Sequence, residues 1–176
     1  GAATRIEQVV LLPVLGINTA IISIIAQNYG AGNYDRIKES YYTAIKYALF
    51  IMILSGILIF ITSGIIPTFF SDNLEVNHFG KKYLQISAFV LPAYPIFFLS
   101  NGFFMALKKS ENALVTNFFR NILLPVITFY VATYFMADFN TFFWIWVVSN
   151  WIFSISLLLI VLYYIRKKLN TLSAIV

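Results

Sequence analysis

Arg5, Glu7, Gln8, Asn18, Gln27, Tyr94, Asn101 and Arg120 carry charge or strong hydrogen-bonding capacity inside segments that are otherwise apolar. Charged and amide side chains in such surroundings can bind a polar solute, hold a cation or pass a proton. A charge at the centre of a bilayer costs about 2.5–3.5 kcal/mol on insertion scales, so intramembrane ionisable groups face a cavity or a partner. Other chemistries lack their parts. There is no Ser/His/Asp set, no paired carboxylate at a usable spacing and no cysteine, and His78 is the single histidine. Neither an enzyme nor a metal centre is expected, and no cofactor is called for. Gly30-Ala31-Gly32 lacks the Gly-Lys-Ser/Thr ending and the preceding strand of a phosphate-binding loop.

These residues are positioned by helices. About 20 mainly apolar residues cross a bilayer, and five stretches qualify: roughly 5–28, 44–70, 84–107, 114–136 and 141–165. The hydrophobic fraction is 60% and the charged fraction 11%, against roughly 25% charged in soluble domains. The reading is an all-α, polytopic membrane helix bundle in one domain over residues 1–176, with the lipid bilayer as its first partner. The net charge of +5 lies mostly at helix ends, which marks membrane topology and not a nucleic-acid surface. The chain starts at Gly1, just before an apolar helix and with no signal peptide pattern. It therefore reads as a piece of a longer protein.

At 100° per residue, Arg5, Gln8, Gly16, Thr19, Ser23 and Gln27 fall within about a 100° arc of the first span, and Glu7 and Asn18 share a neighbouring face. The third span places Ser87, Tyr94 and Asn101 at heptad spacing. Asn117, Arg120, Asn121 and Thr128 share one side of the fourth, and the fifth offers Asn150 and Ser154. Ser and Thr in such stripes read mainly as helix–helix contacts. Two readings stay open for the charges. Arg120 either snorkels to the interface or faces a polar path. Glu7 either pairs with Arg5 or takes part in ion coupling. Gln8, Tyr94 and Asn101 are expected to border a cavity that faces a part of the protein missing from this chain.

Pro13, Pro92, Pro95 and Pro125 sit inside spans, and each is expected to bend its helix. Gly30 and Gly32 read as the stop of the first helix, with Asn33 capping the next and Asp35 in its first turn. Arg36, Lys38, Lys46, Lys108, Lys109, Arg166, Lys167 and Lys168 collect on one side. Positive-inside counting makes that side, and the C-terminus, cytoplasmic. Trp144 and Trp146 at one end of the last span, with Tyr163 and Tyr164 at the other, match interfacial belts.

Thr4-Arg5-Ile6-Glu7-Gln8, Leu12-Pro13 with Gly16, and Gln27-Asn28-Tyr29-Gly30-Ala31-Gly32-Asn33-Tyr34-Asp35-Arg36 resemble the multidrug and toxic compound extrusion (MATE) family. There this pattern marks the second helix of the C-terminal six-helix lobe and the turn after it. Phe70-Ser71-Asp72-Asn73, Ala106-Leu107-Lys108-Lys109, Asn117 to Pro125 and Trp144 to Trp151 are similar to later parts of that lobe, in order. The resemblance implies helices eight to twelve of twelve, in two lobes related by an axis along the membrane normal. It implies export of drugs or other small, often cationic, compounds in exchange for H⁺ or Na⁺ across the plasma membrane. The seventh helix and the N-terminal lobe would be further partners. The tenth helix, where some members carry an Asp, has only apolar, aromatic and amide residues around Phe97 to Asn101. That points coupling to carboxylates of the N-terminal lobe. A lipid-linked saccharide flippase of the same superfamily would need a more basic cavity than Arg5 and Arg120 provide. A non-transporting scaffold would pair Glu7, Gln8 and Asn101 within the protein.

Overall fold

A computed structural model of the chain describes residues 2–135 and 138–169. The last residue of the fourth predicted span, Met136, and the tail 170–176 lie outside the described residues, as does the Lys168 side chain. The order is α1 (Ala2–Gly30), α2 (Tyr34–Thr62), a 3₁₀ turn (Ile66–Phe69), α3 (Leu74–Ser87), α4 (Ala93–Ala106), α5 (Ser110–Phe118), a π-turn (Phe119–Leu123), α6 (Leu124–Tyr134) and α7 (Phe139–Tyr164), which runs into a second π-turn (Ile165–Leu169). Among the described residues, four continuous helical stretches are long and apolar enough to cross a membrane: Thr4–Gly30, Tyr34–Thr62, Ser110–Tyr134 and Phe139–Lys167. The remaining predicted span, the third, is present but broken into α3 and α4. The second starts at Tyr34, well before the predicted boundary, and stops at Thr62. Beyond it Pro67, which has no N–H to donate, sits in the 3₁₀ turn.

The turn after α1 is built as its glycines suggest. The Asn33 N–H bonds to the Asn28 carbonyl at 2.9 Å and the Gly32 N–H to that of Tyr29 at 3.3 Å, with Gly32 at φ +72°. This is a Schellman closure, whose left-handed residue favours glycine. Asn33 occupies the N-cap position of α2, but its side chain makes no capping bond. Asp35 instead pairs with Lys38 at 2.6 Å. Side-chain capping is used at the opposite end of the bundle. Asn73 Oδ1 accepts from the Glu75 N–H at 2.9 Å, and Asp138 Oδ1 from the Thr141 N–H at 3.1 Å. The bonds from Thr141 hold the Asp138 carboxyl below its ordinary range.

The prolines act unequally. α1 continues through Pro13. Between α3 and α4 the ladder tightens to i→i−3 bonds: Phe89 to Ile86, Val90 to Ser87, Ala93 to Val90 and Tyr94 to Leu91, at 2.9–3.2 Å. Pro92 and Pro95 remove two donors, so carbonyls there need other partners. Phe89 O receives the Trp151 indole Nε1–H at 2.8 Å. Ala88 O lies against Gly56, where a Cβ would stand 2.9 Å from it. Pro125 sits at the start of α6, just after the π-turn that holds Arg120. The wider turn relieves the clash between the proline ring and the preceding turn.

The centre of the bundle is α4, buried at twelve of its fourteen positions. It touches α1, α2, α5 and α7. The Tyr41 and Ser100 hydroxyls share a buried hydrogen bond of 2.8 Å between α2 and α4. The Tyr41 ring meets Phe103 edge-on at 5.1 Å. Phe50, Leu54, Ile57 and Leu58 of α2 are uncovered by protein, as expected where the neighbour is lipid. Lys109 Nζ lies 4.4 Å from the Tyr164 ring centre, so the 107–109 turn and the end of α7 share one end of the bundle. Phe79 against Phe139 at 5.2 Å joins α3 to the start of α7 at the other.

Candidate functional site

Among the residues singled out from sequence, α1 presents two polar sets on opposite sides. Arg5, Gln8, Gly16, Thr19, Ser23 and Gln27 are all exposed. Thr19 Oγ1 donates to Leu15 O at 2.9 Å and Gln27 Nε2 to Ser23 Oγ at 3.3 Å, so these hydroxyl and amide groups bond within their own helix. Glu7 and Asn18 point the other way, into the bundle. The face is not adjacent to Arg5 but roughly opposite it, because residues two apart on a helix diverge by about 200°. Among the described residues Arg5 and Glu7 make no ion pair.

The Glu7 carboxyl faces the hydroxyls of Tyr83 and Ser87 on α3. Its Oε1 is buried without a hydrogen bond. The buried Tyr94 at the head of α4 lies within electrostatic reach of both Glu7 and Arg120. Arg120 does not snorkel. Its guanidinium carbon lies 4.0 Å from the Phe97 ring centre, 5.0 Å from Tyr94 and 5.2 Å from Phe98. Rings attract a cation through their quadrupole, by about 0.5–2 kcal/mol depending on desolvation. No carboxylate pairs with Arg120 among the described residues. The result is a line of polar side chains through the bundle: Glu7, then Tyr83 with Ser87, then Tyr94, then Arg120. The break between α3 and α4 falls in its middle.

Asn18 packs against Gly102 of α4 so closely that a Cβ there would overlap its Oδ1. Asn101 is 5% exposed and its amide is engaged. Its Nδ2 donates to Ala113 O at 3.0 Å and Thr116 Oγ1 at 2.7 Å, while its Oδ1 accepts from Asn117 Nδ2 at 3.4 Å. This network ties α4 to α5. Within this chain Gln8 faces outward, Tyr94 is buried in the polar line and Asn101 is buried in the α4–α5 contact. Asn150 donates within α7, to Trp146 O at 2.9 Å. Tyr83, Phe98 and Gly102 were not legible as site residues. Tyr83 stands one turn before Ser87 on the same face, a spacing that could have flagged it.

Helices long and apolar enough to cross a bilayer, packed around a broken helix and a buried polar line, are the frame of a membrane protein. The MatE family profile matches residues 1–131, and the chain belongs to that family, whose members are transporters. The FAD transporter of Shewanella oneidensis is 27% identical over 124 residues, which are 70% of this chain and 27% of that protein. A Pyrococcus furiosus transporter of the MOP superfamily is similar over 98% of this chain and 38% of its own, with a TM-score of 0.87 and 20% identity. The Vibrio cholerae MATE transporter VcmN in its bent form is also 20% identical over 98% of this chain and 38% of its own, with a TM-score of 0.85. The chain thus spans well under half the length of these proteins.

Proposed function

We propose that this chain is the larger part of the C-terminal lobe of a secondary exporter that exchanges small, often cationic, compounds for H⁺ or Na⁺. The observation that carries the coupling role is Glu7, a carboxyl with a buried, unpartnered Oε1 facing two hydroxyls and connected through Tyr94 to an Arg120 that no carboxylate pairs among the described residues. A proton or cation bound there would change the charge beside the helix break, where the backbone ladder is already interrupted. The exposed polar stripe of α1 would line the substrate path against the N-terminal lobe and the seventh helix. In proteoliposomes of the full-length protein, Glu7→Gln is expected to lose gradient-driven exchange while substrate counterflow persists. Gradient-driven exchange at the native rate in that variant would remove Glu7 from coupling.

A second reading concerns the substrate. The FAD transporter named above, and a guanidinium held among three rings with no carboxylate paired to it among the described residues, favour an anionic aromatic solute. The same vesicles loaded with ethidium or with FAD distinguish the two by which one the gradient moves.

The plasma membrane is the proposed location, with the Gly30–Asp35 turn, the Lys108–Asn112 segment and the C-terminus on the cytoplasmic side. Reporter fusions at those places are expected to give cytoplasmic signals, and fusions at Asp72 and Asp138 external ones. A cytoplasmic signal at Asp138 would reverse the assignment.

A further inference from the structure

The break in the third span opens a groove on the outside of the bundle, away from the polar line. Its apolar part, about 560 Å³, runs between α2 and α7 over the broken segment and is lined by Gly56, Ile57, Phe60, Phe89, Trp144 and Trp151 among others. The hydrogen bond from Trp151 to Phe89 O and the close approach of Ala88 O to Gly56 shape its floor. A second hollow of about 300 Å³ continues it toward the bundle end that carries the 63–73 loop. It shares Phe60, Phe89 and Trp144 with the first and adds Lys82, Gln85 and Asn140. These three are only partly covered. Among the described residues their side chains make no hydrogen bond or ion pair, and the ion pair found is Lys38 with Asp35.

We infer that this groove is a binding site for a membrane phospholipid with an anionic headgroup. An acyl chain would lie along Ile57, Phe60 and Trp151. The phosphodiester would take the Lys82 ammonium and the amide N–H groups of Gln85 and Asn140. The order of chemistries matches such a lipid end to end: apolar where hydrocarbon lies, donors and one positive charge where headgroups lie. Asn140 is the second residue of α7 and Lys82 belongs to the helix that starts at the same end, so the donors stand at headgroup level. A zwitterionic choline lipid offers the same chain and phosphate, but its own cation competes with Lys82. A basic residue near a membrane surface favours anionic lipid by about fivefold.

A photo-crosslinking residue at Ile57, inside the groove, and one at Leu54, exposed on the same helix outside it, test this in the full-length protein. The nanodiscs contain equal amounts of phosphatidylglycerol and phosphatidylcholine. At Ile57 the phosphatidylglycerol adducts are expected to exceed the phosphatidylcholine adducts by about fivefold, and at Leu54 the two are expected to be equal. Lys82→Gln should equalise the adducts at Ile57, while Lys81→Gln, the same charge change one residue away, should not. Equal adducts at Ile57, a preference that survives Lys82→Gln, or an equal loss with Lys81→Gln would overturn the inference. So would peptide adducts at Ile57 in place of lipid, which would mean that another part of the protein fills the groove.

Discussion

Gly102→Ala in the full-length protein is expected to lower stability by about 1–3 kcal/mol, the usual range for overpacking, and Gly102→Val by more. α1 and α4 meet at this glycine. A Cβ would overlap Asn18 Oδ1 and stand 3.0 Å from Ile22 Cγ1. Asn18 Oδ1 is buried without a hydrogen bond, so no bond resists its rotation, but Ile22 limits the space into which it can turn. A branched side chain meets both obstacles at once. If the contact with Asn18 is the cause, Asn18→Ala combined with Gly102→Ala should recover most of the loss, giving a non-additive cycle. Gly16→Ala is the control. Among the described residues nothing lies within 4 Å of a Cβ there, and alanine is the better helix former. The thermal midpoint of protein purified in detergent reads every variant. A Gly102→Ala protein as stable as the native one would mean that the two helices can separate without penalty.

Asn101→Leu is expected to cost about 1–3 kcal/mol, because it strips buried partners that have nothing to replace it. A single side-chain hydrogen bond in a membrane protein averages about 0.6 kcal/mol. Here, however, one amide holds Thr116 Oγ1 at 2.7 Å, Ala113 O at 3.0 Å and Asn117 at 3.4 Å. The Ala113 carbonyl keeps two donors in the variant, Thr116 Oγ1 at 3.0 Å and Asn117 Nδ2 at 2.9 Å. The loss therefore falls mainly on Thr116 and on the Asn117 amide. Thr116→Val added to Asn101→Leu should then cost little more, while Asn117→Ala alone should cost less than Asn101→Leu, since its bond to Asn101 is the longest. Equal stability of Asn101→Leu and native protein would return Asn101 to the solute path.

The order of residues alone picked out the segments long and apolar enough to cross a bilayer. Lipid cannot satisfy a free backbone group, so an apolar stretch of the right length is forced into a helix whatever its neighbours. It also determined the stop at Gly32, because a positive φ is a property of one residue. The ends of the spans were less legible. Second-span apolarity continues past Thr62 to Phe70, and only Pro67 and the 3₁₀ turn around it show where the helix stops. The amide and charged side chains were legible as residues that avoid lipid, but their partners were not. In a soluble helix the apolar face identifies the core. In a membrane helix both the lipid side and the packed side are apolar, so a polar position carries no label for its neighbour. That is why Glu7 could be placed on a face of α1 but not against Tyr83 and Ser87 of α3. It is also why Asn101, well inside its predicted span, closes on α5 in place of a cavity. The position of Arg120 was decided by the π-turn and by three rings contributed from α4. Proline predicted a disturbance at Pro92 and Pro125. That the first became a break depended on packing, because Trp151, 62 residues beyond Phe89, supplies the donor for the Phe89 carbonyl that the break sets free.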